Sequence, residues 1–297
     1  MASVTVLIAA RNAERTLAET LESLANQTFR DFGVVLVNDA STDSTVDIAH
    51  RFRSRLNVEI LSPERHLGIS GAANAGLRII ESRYVARIDA DDIAMPTRLE
   101  KQVAFLEANP GIDALGTAME LFYEQPGRES RVLIKPEDDA SIKTALVQYC
   151  AVSNGSAMFR KSFFDDVGTY DTRLAAAEDY DVWCRGALLG KRYANLPESL
   201  TRYRQHDAST SAQKYQLQQE LDLQVKRKYI GALLGGESSG NLAEFFSLLT
   251  RFTNREIAEV VVRQSMQLLF KLSRKVPNEA LFSSIVADCL RRHLSPA

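Results

Sequence analysis

Unbroken apolar runs alternate with stretches of helical periodicity through the first part of the chain. Residues 4–9, VTVLIA, are β-branched and almost wholly apolar, the pattern of a strand covered on both faces. Asn12 then stands where it could cap a helix that carries Leu17, Leu21 and Leu24 on one face. The pattern repeats with strands at GVVLVN (33–38), VEILS (58–62) and YVARID (84–89), separated by helices at STVDIAHRF (44–52) and SGAANAGLRIIES (70–82). Such alternation predicts an α/β fold with a parallel sheet, whose ligands lie beyond the C-terminal ends of the strands. Polar groups stand at those ends: Ala10–Arg11–Asn12, Asn38–Asp39, and an acidic run that begins at Asp89.

After Pro96 the spacing predicts a helix over 97–108, then shorter mixed elements with a turn at EQPGR (124–128). From about Asp207 the chain turns Gln-rich and then helical, with breaks at GGESSG (235–240) and at Val276–Pro277. We therefore divide it into residues 1–206, with halves at 1–95 and 96–206, and a helical C-terminal extension, 207–297.

Composition narrows this picture. A length of 297 residues with 45% apolar content allows a large core, and a net charge of −2 without basic runs speaks against a nucleic-acid surface. Three cysteines, Cys150, Cys184 and Cys289, are widely spaced and unpaired in sequence. They suggest neither a disulfide framework nor a zinc site and fit a reducing cytoplasm. The N-terminus lacks the pattern of a signal peptide, and no apolar run is long enough to span a bilayer. At most the protein would be peripheral to the inner face of a membrane.

Two acidic groups carry the candidate chemistry. In VARIDADDIAM (85–95), Asp89 and Asp91 are two apart and share one side of an extended backbone, with Asp92 beside them. Paired carboxylates suit Mg²⁺ or Mn²⁺. They could equally cap the following helix, and Ile93 excludes an EF-hand loop. In AAAEDYDVWCR (175–185), Glu178, Asp179 and Asp181 precede an apolar helix face. They either favour its N-terminus through the helix dipole or include a general base.

At these residues the chain resembles the family 2 glycosyltransferases of the GT-A fold. The resemblance rests on VTVLIAARNAERTLAETLESLANQTF, VVLVNDASTDST, HLGISGAANAGL, YVARIDADDIAMPTRLEKQVAFL, SAMFRKSFFDDVGTYD and AEDYDVWCR, in that order, over about residues 3–206. It implies metal-assisted transfer of a sugar, with inversion, from a nucleotide diphosphate sugar, UDP-linked, to the hydroxyl of a saccharide or glycoconjugate acceptor. Such enzymes build bacterial polysaccharides and glycoconjugates. Position by position, Asp39 matches the acid at the nucleotide base, and Ala9, Ala10 and Arg11 match the wall of that pocket. Asn12, Gly68, Asn74 and Ala90 join the donor-binding set, and Asp89 and Asp91 match the acids that meet ribose, metal and diphosphate. Asp179 matches the catalytic base, with Glu178 orienting the acceptor and Asp181 capping or facing solvent. His206, in TRYRQHDAST, resembles a Tyr-Arg-x-His segment and is a candidate third metal ligand. Trp183 and Phe163–Phe164 read as core. The chain departs from the family at Asn38, at Ala10–Arg11–Asn12 and at His66.

Rival readings are a nucleotidyltransferase, which needs a Gly-rich phosphate loop where AARNAERT has no glycine, and a non-catalytic nucleotide-sugar-binding protein, against which the intact acids argue. Residues 251–297 carry eight Lys/Arg against four Asp/Glu, with Val262, Leu269 and Phe270 near helical spacing. That region could dock on the catalytic domain, pair with a second subunit, or lie on an anionic membrane; docking or self-association is favoured.

Overall fold

β1 (Val4–Ala10) is flanked by β2 (Phe32–Asn38) and β4 (Tyr84–Arg87), parallel to both, and β3 (Val58–Leu61) continues the parallel set beyond β2. The computed structural model describes residues 2–125, 127–205, 214–236, 241–247 and 265–294. Val6 and Ile8 join one apolar cluster with Val34, Leu36 and Ala86, while Leu7 joins a second with Val35, Val37 and Val85. The sheet is therefore covered on both faces, which is why these strands read as continuous apolar runs rather than alternating ones.

The covering helices are α1 (Leu17–Ala25), α2 (Thr45–Arg51) and α3 (Gly68–Ile79). α3 approaches the sheet closely at Gly76, where an added Cβ would stand 2.3 Å from Leu7 Cδ1 and 3.1 Å from Val37 Cγ2. α1 starts later than Asn12 would place it. Thr16 occupies the cap position without a side-chain cap, because its hydroxyl donates instead to Ala90 O at 3.0 Å. Asn12 adopts φ 50° and closes a loop, its Oδ1 accepting from Thr42 N–H at 2.9 Å.

Beyond β4 the sheet changes direction. β5 (Ile93–Ala94) follows the acidic turn, and α4 (Arg98–Ala108) leads into β6 (Ala114–Tyr123) and β7 (Arg131–Leu133). α5 (Asp139–Ala145), β8 (Met158–Arg160), α6 (Lys161–Val167), α7 (Glu178–Leu188) and β9 (Tyr193–Gln205) complete this part. The strand order is β3-β2-β1-β4-β8-β6-β9-β5, with β7 paired to β6. Short elements were expected here, yet β6 and β9 are the longest described strands, at 10 and 13 residues. Pro197 disguises β9 in the sequence. The register with β6 jumps from Leu196 to Ser199, so the proline sits in an irregularity that needs no ladder donor.

The C-terminal helices share the core of the sheet. α8 (Tyr215–Leu233) packs on α7 through Leu221, Val225, Tyr229 and Ile230, and Phe246 and Phe282 join the same cluster as Leu7. In the helical stretch 265–273, Leu269 and Leu272 face inward while Met266 and Phe270 are exposed. Val262 lies outside the described residues. Among the described residues no helix is long and apolar enough to cross a membrane.

Candidate active site

Asp39 continues β2 and is almost fully buried. Its Oδ1 accepts from Leu67 N–H at 2.6 Å, and its Oδ2 from Gly68 N–H at 2.9 Å and from His66 Nδ1 at 2.8 Å. The carboxylate thus clamps the start of α3, where Gly68 needs its glycine for φ 74° rather than for space. Arg11 Nη1 meets His66 Nε2 at 3.0 Å, so an exposed Arg11–His66 edge grows out of the Asp39 anchor. His66 stood in the sequence only as a departure from the family pattern; its link to Asp39 spans 27 residues and is set by the packing of α3. Ala9 and Ala10 lie level with Val37 and Asn38 at the same sheet end. Asn74 is tied into the fold: its Nδ2 donates to Tyr170 O at 2.8 Å and its Oδ1 accepts from Tyr170 N–H at 3.0 Å.

Three carboxylates in four positions repel one another unless cations stand among them. Arg87 and Arg98 supply that charge, and Arg204 fastens the turn by hydrogen bonds. Arg87 Nη2 lies 3.6 Å from Asp89 Oδ1. Arg98, buried beneath the turn, donates to Arg87 O and pairs its Nε with Gln102 Oε1 at 3.2 Å. Burial lowers the Arg98 guanidinium to about 10, which still leaves it cationic at neutral pH. Arg204 holds the turn from outside. Its N–H donates to Asp92 Oδ1 at 3.0 Å and its Nε to Asp91 O at 2.8 Å, while its Nη atoms pair with Glu124 and Glu19. Burial pushes both Asp89 and Asp92 up from the usual carboxylate range, with Arg87 opposing the shift at Asp89.

The α7 acids separate into different environments. Glu178 is buried, and burial together with Asp179 raises its carboxyl to about 8. Asp179 is half-buried; its Oδ1 accepts from Tyr180 N–H at 2.7 Å and its Oδ2 from the Cys150 thiol at 3.6 Å. Burial raises its pKa, opposed by the Tyr180 N–H and by Lys135, whose Nζ donates to Cys150 O at 2.6 Å. Asp181 neither caps nor faces solvent. It is buried and paired with Arg185 at 2.7 Å, whose Nη2 continues to Thr169 O at 2.8 Å. Trp183, Phe163 and Phe164 belong to the core, with Trp183 stacked on Phe159 at 4.9 Å. The Asp179 charge raises the Asp89 carboxyl and the Asp89 charge raises that of Glu178, so the acidic turn and the start of α7 lie within electrostatic range of each other. His206 lies outside the described residues.

Glu178 makes stability depend on pH in the ligand-free protein. The folded chain holds this proton up to about pH 8, against 4.5 for the ordinary carboxyl. The associated stability is full below about pH 4.5 and is lost as pH rises through 8. Glu178→Gln should flatten this part of the profile and be the more stable protein at pH 9, as read by urea unfolding. An unchanged slope between pH 5 and 9 would contradict the assignment.

The donor set around the turn is all oxygen. Asp92 Oδ2 is buried without a hydrogen-bond partner, and an added Cβ on Gly155 would stand 3.1 Å from Asp89 Oδ2 and 3.3 Å from Asp92 Oδ2. The glycine therefore keeps open the space onto which both oxygens face, and hard oxygen donors of this kind suit Mg²⁺ or Mn²⁺. Among the described residues no three His, Cys, Asp or Glu are grouped to hold a metal alone. Substrate oxygens and water would have to complete any such shell.

A parallel α/β half with polar groups gathered at its strand ends, joined to a mixed half that carries acids on a helix start, defines a GT-A glycosyltransferase. The sequence model of glycosyl transferase family 2 matches residues 5–168. The amylovoran biosynthesis glycosyltransferase AmsE of Erwinia amylovora is 30% identical over 278 residues, 91% of this chain and 98% of that protein. The structure of S. aureus TarS 1–349 in complex with UDP-GlcNAc superposes with a TM-score of 0.66 at 20% identity, covering 98% of this chain and 89% of that one. The mannosyltransferase PcManGT of Pyrobaculum calidifontis, in complex with GDP-Man and Mn²⁺, gives 0.58 at 15% identity, covering 100% and 76%. The chain belongs to glycosyl transferase family 2.

Proposed function

We propose that this glycosyltransferase moves a sugar, with inversion, from a UDP-linked donor to a saccharide or glycoconjugate hydroxyl, assisted by Mg²⁺ or Mn²⁺, during bacterial polysaccharide or glycoconjugate synthesis in the cytoplasm. The observation that carries the reading is the placement of the acidic turn within electrostatic range of the Asp179 carboxylate. The UDP donor is supported by the likeness to TarS in complex with UDP-GlcNAc, and the metal by the oxygen pair at Gly155 and by the likeness to PcManGT with Mn²⁺. We take residues 1–206 as the catalytic domain and 207–297 as its extension.

In this mechanism the acceptor hydroxyl gives its proton to Asp179 Oδ2 as its oxygen bonds to the anomeric carbon. The bond from that carbon to the diphosphate oxygen breaks on the opposite face. Glu178, neutral near pH 7, can donate a hydrogen bond to the acceptor. Arg87, Arg98 and Arg204 hold the acidic turn at the diphosphate end, and the Arg11–His66 edge borders the nucleotide. A bound metal would be held by Asp89 and Asp91, with His206 as a third ligand and Asp92 beside them, and would supply electrostatic stabilisation of the departing diphosphate.

Nucleotide sugars screened by thermal shift with Mn²⁺ test the donor, with UDP-sugars expected to stabilise the chain most. By calorimetry, Asp91→Ala should weaken UDP binding in Mn²⁺ about 10-fold or more, the scale of a lost charge-assisted contact. Equal affinity with and without metal, in parent and variant alike, would end the metal-assisted reading.

A further inference from the structure

α8 begins beside the loop that leads into α7, where Lys214 Nζ reaches Ala175 O at 3.4 Å. It then runs along α7 and is fastened farther on by Tyr229, whose hydroxyl donates to Lys143 O at 3.0 Å. Val225, Lys226 and Tyr229 are buried along this contact, and Asp222 shares their helix face, within electrostatic range of Asp179 and Cys150. Asp222 is half-buried. Among the described residues its carboxylate has no hydrogen-bond or ion-pair partner, and its oxygens are not among the sealed polar atoms. The charged groups in range are Asp179 and the buried Lys226 one turn along α8, and burial with Asp179 raises the Asp222 carboxyl to about 7. Among the described residues nothing structural accounts for an acid in this position, yet it senses the Asp179 charge.

We propose that Asp222, supplied by the C-terminal extension, is an acceptor-binding residue that takes a hydrogen bond from a second hydroxyl of a neutral saccharide, next to the hydroxyl that reacts at Asp179. This rests on the transferase reading given above. A carboxylate is an acceptor-only group when ionised and matches a sugar hydroxyl as donor. Glu178, Asp179 and Asp222 border this place with Lys135 as the cation on the Cys150 side. A phosphate or uronate close to the reacting hydroxyl would be repelled by Asp179 and, as it ionises around pH 7, by Asp222, which selects a neutral ring. Leaving one of these polar groups unpaired in a bound complex is the kind of loss that discriminates strongly between sugars.

The test uses the full chain, its best-binding nucleotide sugar, a panel of methyl hexopyranosides and their monodeoxy analogues. Asp222→Ala is expected to raise the acceptor KM about 10-fold or more, leaving donor affinity and the slow hydrolysis of donor by water as in the parent. One monodeoxy acceptor should cost the parent a similar factor and cost the Asp222→Ala variant almost nothing. Asp222→Asn, which can still accept a hydrogen bond, should recover part of the loss. An unchanged acceptor KM, a deoxy penalty that persists in the variant, or an equal fall in donor hydrolysis would overturn the assignment. A parent that hydrolyses donor but glycosylates no neutral methyl glycoside would overturn the neutral acceptor while leaving the transferase reading intact. No hydrolysis and no transfer with any nucleotide sugar would count against the transferase reading itself.

Discussion

Asp179→Asn should lose about 10²–10⁴ in transfer rate while binding metal and nucleotide sugar like the parent. The amide oxygen can still accept from Tyr180 N–H while its NH2 turns to the Cys150 sulfur as a donor, so the side chain stays in place and its basicity is removed. Because proton removal belongs to the transition state, the donor complex should be untouched. Stopped assays of transfer, paired with calorimetry of the donor, check both halves of the expectation. Near-normal transfer by Asp179→Asn together with inactive Glu178→Gln would move the base to Glu178. Asp181 is a poor alternative, since its pairing with Arg185 takes it away from the cleft.

Arg98→Met should destabilise the fold by about 3–5 kcal/mol, the usual cost of stranding buried charge by removing its partner. Arg98 lies at 1% exposure beneath Asp89 and Asp92, and the pair would be left with Arg87 and with Arg204, which is buried too but already pairs with Glu19 and Glu124. Urea unfolding at pH 7 measures the loss. Adding Asp92→Asn should restore much of it, because the amide still accepts from Arg204 N–H but no longer carries charge. If the single variant unfolds within about 1 kcal/mol of the parent, the size of an ordinary substitution, the charge balance described for the turn is wrong.

The strands of the parallel half were legible because each is covered on both faces and so shows as an apolar run. β9 was not, since its Pro197 looks like a strand breaker until the pairing jump with β6 accommodates it. The acidic residues were legible as candidates, because carboxylates clustered at a strand end or helix start are visible in any sequence. Their cations were not: Arg87 looked like one polar position in a strand, Arg98 like an ordinary helix residue, and Arg204 reaches Asp91 and Asp92 from more than 110 positions away. Asp222 escaped for the same reason, being one of many polar residues on a Gln-rich helix until α8 is laid against α7. The helix cap expected at Asn12 failed because tertiary contact holds its Oδ1 on Thr42 N–H in a loop with φ 50°.

The apolar cluster that holds Leu7 and Trp183 also holds Val225, Phe246 and Phe282. For anyone exchanging modules between relatives, this shared cluster sets where a seam can run. A graft at the end of β9 would strip α8 from the face of α7 on which it packs, and the new tail would have to fit that face side chain by side chain. If Asp222 binds the acceptor as proposed, acceptor choice and foldability would be inherited together, since the helix that carries it also seals the core.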